Sequence, residues 1–330
     1  GPHVQIEAVL AHLRRIRQVN RDVVRRAVRG RETGPVAQAS PDVSVVIPTV
    51  GRALLRGCLG SIADGTVWPA ELIVVDQGAN AEVAVWIDQL NGRGVRITHV
   101  RSNQTGIAAS TNRGLERVRT PFVATTHDDC RVRTDWLGEL SKRLPGLEGS
   151  ILTGRVEPEG EGIVLTIMTS TEPAVYRRPM IDRDVLFPPN MAFSVTLLKR
   201  IGYLDEHPSL RFAGEDNEWA YRALRAGVPI VYDTSLLALS IAVAISALYE
   251  RYARGQGAFY GKYLRRADLF IAGRAARDVV RAPWLLLRGL LTGNRQLVAM
   301  GRGEIRGLLP GILAGATNSA SRRSRRDPAR

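Results

Sequence analysis

Cysteine and lysine are nearly absent from this sequence. Cys58 and Cys130 are the only cysteines in 330 residues, which excludes a disulfide-stapled secreted scaffold and leaves no zinc-ligand spacing. Lysine occurs only as Lys142, Lys199 and Lys262, so the formal charge of +14 rests on arginine. Long apolar runs are missing too. The longest uncharged run, Ser235 to Tyr249, would span about 22 Å as a helix, short of the roughly 30 Å that crosses a bilayer, and it reads as a buried or interfacial segment. No apolar signal segment follows the opening Gly1-Pro2, which reads as the remnant of a protease cut, so a reducing, non-secreted setting is expected.

What remains is ordinary for a folded α/β protein: 45% hydrophobic and 24% charged residues. The length suits one catalytic domain with terminal appendages. The excess positive charge implies an anionic partner: nucleic acid, anionic lipid or a phosphorylated substrate. Arginine gathers in residues 14–31, in 251–306 and in the tail SRRSRRDPAR, outside the segments that carry motifs. No helix-turn-helix, zinc or RNA-binding signature accompanies it, so nucleic acid is set aside.

Residues 4–29 place Ile6, Val9, Leu13, Ile16, Val23 and Ala27 on one helical face, with Asn20 on the same seam. This is either a helix packed on its own domain or a short homodimeric coiled coil registered by Asn20. A loop from Gly30 to Pro41 follows. From Val43 the pattern changes to short apolar runs at 43–48, 71–76, 95–100 and 121–129, separated by helical stretches, as in a parallel sheet with crossover helices. Such a Rossmann-like half binds its ligand at the carboxyl ends of the strands. A helix is expected over 214–227. Clusters such as WLLLRGLL and IRGLLPGIL between Pro283 and Ala314 alternate with arginine, as in helices lying in a membrane interface. The last ten residues read as disordered.

Polar residues stand at each strand end: Pro48, Thr49 and Arg52 after the first, Asp76 after the second, Arg101 to Asn103 after the third, His127, Asp128 and Asp129 after the fourth. An ionised carboxylate there accepts from a nucleobase or ribose, and Asp76 is the candidate; the alternative is that it caps its own turn. Asp128 and Asp129 suit a divalent cation held against a diphosphate. The EDxE cluster at 215–218 is a helix N-terminus favourable to acidic side chains.

In order and spacing, VSVVIPTVGR, LIVVDQG, RSNQTGIAASTNRGLERVRTPFVATTHDDC and DWL, then PPNMAFSVTLLKRIGYLDE and GEDNEWAYRALRAG, resemble the family 2 glycosyltransferases over about residues 42–263. The resemblance implies a GT-A type α/β fold and inverting transfer from a nucleoside diphosphate sugar to a hydroxyl acceptor, a polysaccharide or lipid-linked glycan of the cell envelope. It makes Asp216 the base with Glu215 supporting it, and Asp129 the metal carboxylate for Mn²⁺ or Mg²⁺. It assigns donor binding to Pro48, Thr49, Arg52, Asp76, Asn103, Gly106, Asn112, Asp128, Asn190 and Met191, and offers Arg251 and Arg254 to the diphosphate.

The sequence departs from the family pattern twice. His127 stands where the first Asp of the DxD motif belongs, and is either a second metal or ribose ligand or a structural hydrogen-bonder. No downstream histidine completes a metal site. A sugar nucleotidyltransferase, or a catalytically impaired nucleotide-sugar- or membrane-binding protein of the same fold, is the competing reading. The expected organisation is an N-terminal helix and linker over 1–41, the transferase domain over 42–265 and a basic amphipathic extension over 266–330. Such a protein would sit peripherally on the cytoplasmic face of the cell membrane.

Overall fold

The computed structural model describes residues 38–91, 95–160, 167–241 and 247–317. The expected N-terminal helix, with its dimer reading, and the C-terminal tail lie outside these residues. Each of the four runs read as strands forms one: β1 (Gln38–Thr49), β2 (Val67–Asp76), β3 (Ile97–Arg101) and β4 (Phe122–Thr125). β1 starts within the stretch expected to be linker. The fourth run stops early, because β4 ends at Thr125 and the chain turns through His127–Asp129 into β5 (Cys130–Val132).

The strands hold because both faces are covered. Val43, Val45 and Ile47 of β1 and Leu72 and Val74 of β2 pack with α1 (Leu54–Ala63), α2 (Glu82–Asn91) and α4 (Trp136–Ser141). Val46 of β1 and Ile73 and Val75 of β2 face the other way, onto α3 (Ile107–Leu115) and the helix that carries Trp219. Near-continuous apolar strands are what a two-sided sheet requires. Gly114 lets α3 approach: a Cβ there would stand 2.3 Å from Val46 Cγ1.

Among the described residues one sheet runs in the order β3-β2-β1-β4-β8-β6-β9-β5, with β7 (Ala174–Tyr176) on β9. β1–β4 and β2–β3 pair in parallel. β8 (Met191–Ser194) is antiparallel to β4 and to β6 (Ile151–Glu159). β9 (Ile230–Ile241) takes the first half of the uncharged run 235–249 as strand, burying alternate residues from Leu236 to Ser240. The PPNMAF segment folds as a 3₁₀ turn, Pro188–Asn190, leading into β8, and α5 (Leu197–Ile201) follows it.

α6 (Glu215–Arg225) realises the expected helix, and α7 (Ala247–Leu264), α8 (Leu269–Thr292) and α9 (Arg295–Thr317) close the described chain. α9 meets α7 through Gly303, Gly307, Gly311 and Gly315, every fourth residue; a Cβ on Gly311 or Gly315 would stand 2.1 or 2.0 Å from the carbonyl oxygens of Arg254 or Ala258. Among the described residues no helix is long and apolar enough to cross a membrane.

Candidate active site

Two cavities adjoin at the carboxyl ends of β1 and β4, sharing Ile107, His127, Phe212 and Tyr252 as their common wall. The first, of about 480 Å³, takes in Pro48, Thr49, Arg52, Gly106, Asp128, Asp129 and Arg251 of the expected donor site. Within it, Thr49 Oγ1 donates to Asp128 Oδ2 at 2.7 Å, and the Arg52 guanidinium bridges the carboxylates, from Nε to Asp128 Oδ2 at 3.2 Å and from Nη2 to Asp129 Oδ2 at 3.1 Å. Asp128 is buried, whereas Asp129 keeps 24% of its side chain exposed. Burial lowers the His127 pKa below 6.5 despite both carboxylates nearby, so the ring is neutral at pH 7 and offers a nitrogen lone pair.

The remaining expected donor residues stand off this cavity. Asp76 is wholly buried; it accepts from Gly78 N–H at 2.8 Å and from Arg101 Nη1 at 2.6 Å, the turn-capping alternative raised by the sequence. Asn112 holds Leu204 through both backbone groups at 2.9 and 3.0 Å. Asn190 accepts from Trp136 Nε1 at 2.8 Å and donates to the Arg155 and Leu236 carbonyls. Met191 lies inside β8, while Asn103 and Arg254 are exposed. Three of the cavity residues, Gln77, Arg211 and Phe212, carried no sequence signal. Gln77 accepts from Gly106 N–H at 2.6 Å and so fixes the loop before α3. Arg211 and Arg251 lie 5.3 and 4.4 Å from the Phe212 ring centroid, over a platform at the junction.

The second cavity, of about 300 Å³, holds Glu215 and Asp216 at the start of α6. Gly214 makes that start possible: its φ is +87°, and a Cβ would stand 2.5 Å from Gly255 O in α7. Deeper in α6, Glu218 accepts from Lys262 Nζ at 2.5 Å, Tyr263 OH at 2.8 Å and Arg222 Nε at 2.9 Å. Burial alone would raise its carboxyl, but Arg222 and Lys262 overcome that and hold it at about 2, so the network pins α6 to α7. Among the described residues no such cation is bound to Asp216. Burial, with the Asp184 carboxylate nearby, pushes it up to about 7, and burial with Asp216 beside it raises Glu215 well above its ordinary value. A carboxylate tuned close to neutrality suits a general base. Among the described residues no three His, Cys, Asp or Glu side chains cluster as a ready metal site.

Residues 44–201 match the family described as Glycosyl transferase family 2. Among solved structures the chain is similar to TarS 1–349 from S. aureus in complex with UDP-GlcNAc, at 15% identity over 66% of each chain and a TM-score of 0.50. It is similar also to TarS 1–349 without that ligand, at 14% identity over 83% of this chain and 90% of that one, again with a TM-score of 0.50. The chain thus spans just under two-thirds of the first structure. At such identities the likeness is one of fold, the GT-A fold. No curated protein matches by sequence.

Proposed function

Because residues 44–201 belong to the family 2 glycosyltransferases, we propose that this chain moves a sugar from a nucleoside diphosphate donor to an acceptor hydroxyl with inversion at the anomeric carbon. The observation that carries this reading is the pair of adjoining cavities, arginine-bridged carboxylates in one and, in the other, an Asp216 in no ion pair with any described residue. Donor diphosphate lies in the first cavity, against Thr49, Arg52 and Arg251; the acceptor enters the second. Asp216 takes the proton from the acceptor hydroxyl as that oxygen forms its bond to the anomeric carbon and the bond to the diphosphate breaks. Placing base and leaving group in different cavities fits a single displacement. The UDP-GlcNAc held by the TarS structure agrees with a nucleotide-sugar donor of this kind.

A divalent cation fits as a further part of the donor site. Magnesium is held in many sites by one or two carboxylates plus substrate phosphates, and Asp129 with the neutral His127 supplies such a partial set. Bound there, a cation would stabilise charge on the departing diphosphate.

Replacing the base tests the core of this reading. Asp216→Asn should lower kcat for sugar transfer by about 10²–10⁴-fold while the nucleoside diphosphate Kd, read by calorimetry, stays within about twofold. Transfer near the wild-type rate would reassign the base.

The acceptor is a polysaccharide or lipid-linked glycan met at the cytoplasmic face of an anionic membrane. α8 exposes Val280, Trp284, Leu287 and Leu291, positions on one helical stripe, and α9 exposes Ile305, Leu309 and Leu313; Arg288 lies 5.2 Å from the Trp284 ring centroid. Apolar burial and arginine attraction to headgroups together hold such helices at an interface, each arginine adding about 1 kcal/mol. The intact chain should float with anionic liposomes at low salt. Changing Trp284, Leu287 and Leu291 together to serine should abolish flotation, and flotation unchanged by that triple substitution would remove the membrane from the proposal. A truncation at 283 is the poorer test, because it strips from α7 the glycine-lined contact with α9.

A further inference from the structure

The second cavity extends past Asp216 to a wall built by α8 and α9, beyond residue 201 where the family match ends. Arg274, Arg277, Asp278 and Arg281 come from α8, and Glu304 from α9. A hydrogen-bonded chain joins this wall to the base helix: Asn217 Nδ2 donates to Gln256 Oε1 at 2.9 Å, Gln256 Nε2 to Tyr260 OH at 2.8 Å, and Tyr260 OH to Asp278 Oδ2 at 2.5 Å. Acceptor wall and base therefore share one framework.

The charges on the wall speak against an anionic ligand. Six carboxylates line the cavity against four guanidiniums, and those guanidiniums are already engaged: Arg183 with Asp182, Arg274 with Asp184, Arg277 with Asp278 and Arg281 with Glu304 Oε1 at 2.9 Å. A phosphate or carboxylate entering here would find no net positive charge and would have to break an existing pair.

Three polar atoms of this cavity are left without a hydrogen bond. Glu215 Oε2 is one, beside the base; on the far wall Glu304, only 7% exposed, has its Oε2 buried and unbonded, and the buried Arg281 Nε makes only a long ion-pair contact with Asp278 Oδ1 at 3.5 Å. An unmet buried polar atom costs about 1–3 kcal/mol, and here an acceptor and a donor lie on the two members of one ion pair. A hydroxyl both donates and accepts, so adjacent hydroxyls of a sugar ring meet both needs without adding charge. Burial pushes the Glu304 carboxyl up to about 7, Arg281 notwithstanding, so the group serves an uncharged ligand in either protonation state. A volume of about 300 Å³ lies at the small end of ligand pockets and admits the tip of a glycan.

We propose that Arg281 and Glu304 form a hydroxyl-reading subsite that confines transfer to uncharged, polyhydroxylated acceptor ends, so that the C-terminal helices set acceptor choice. This rests on the transferase reading above. The test uses the full chain, a panel of UDP-, GDP- and dTDP-sugars, and methyl hexosides each paired with its 6-phosphate and its single-deoxy analogues. Wild type should transfer to a neutral hexoside at least about 10-fold better than to the phosphate, and one deoxy analogue should raise the acceptor KM about 10-fold. Glu304→Gln should raise the KM for the parent hexoside by a similar factor and abolish the discrimination against that deoxy analogue. Arg281→Lys provides a second variant, and nucleotide Kd by calorimetry reports that each is folded. Preference for the phosphate, or KM values within twofold of wild type in both variants, would overturn the subsite alone. Absence of any nucleotide-sugar turnover by the wild-type chain would overturn the transferase reading and this proposal together.

Discussion

The two cavities use the same chemical group in opposite ways. In the first, Asp128 and Asp129 are closed by Arg52 and Thr49; both are hydrogen-bonded to a shared guanidinium before any ligand arrives, and the carboxylates hold geometry. In the second, Glu215 and Asp216 lie side by side with no cation among the described residues bound to either, and burial drives both toward protonation. Pairing commits a carboxylate to holding its neighbours, whereas burial without a bound cation makes it a proton acceptor poised near pH 7.

The comparison is tested most strongly by pH. Asp216 must be ionised to act, so transfer should fall as pH drops through about 7, approaching tenfold per unit below about 6 and totalling roughly 50-fold from pH 7 to pH 5, while nucleotide binding in the first cavity changes little. Stability should move in the opposite sense. The native Asp216 carboxyl holds its proton up to about pH 7, whereas the unfolded chain releases it near 3.8, so the native state binds more protons and loses stability as pH rises from about 4 to 7. Asp216→Asn should therefore melt higher than wild type at pH 8 and equal to it below pH 4. A flat rate profile between pH 5 and 7 would erase the contrast between the cavities.

A smaller effect sharpens the other side. Mn²⁺ or Mg²⁺ should tighten nucleoside diphosphate binding about 10-fold by calorimetry, and Asp129→Ala should remove that gain. Identical affinity in EDTA would mean that Arg52 and Arg251 hold the diphosphate without a cation.

Much of the sheet half was legible because its cause is local. Val43 to Ile47, apart from Ser44, and Leu72 to Val75 are apolar since both faces are covered, and such runs end where a ligand site begins. The family pattern singled out Asp216, and the structure places that residue in the wall of the second cavity. Asp76 shows where that logic stops: a strand-end carboxylate looks alike whether it faces a cavity or Arg101, and Arg101 reaches it from the adjacent strand. The second cavity's far wall was invisible for a related reason. Arg274, Asp278 and Glu304 read as solvated charges among leucines, yet they are buried, while Trp284 and Leu291 are exposed. Within the C-terminal extension the apolar–basic alternation set helical structure correctly without saying which face turns inward.

The glycine-lined contact between α7 and α9 bears on that question of surroundings. Two helices joined through leucine side chains cohere because water is excluded, and they lose that cohesion when the medium outside is itself oily. Here backbone meets backbone at Gly307, Gly311 and Gly315, with carbonyl oxygens of α7 against α-carbons of α9, and such contacts draw on dispersion and weak Cα–H···O attraction. Their strength depends little on the solvent. The pair should keep the same geometry in buffer, in detergent or lying against lipid, carrying Arg251 and Gln256 to the two cavities as one stiff piece.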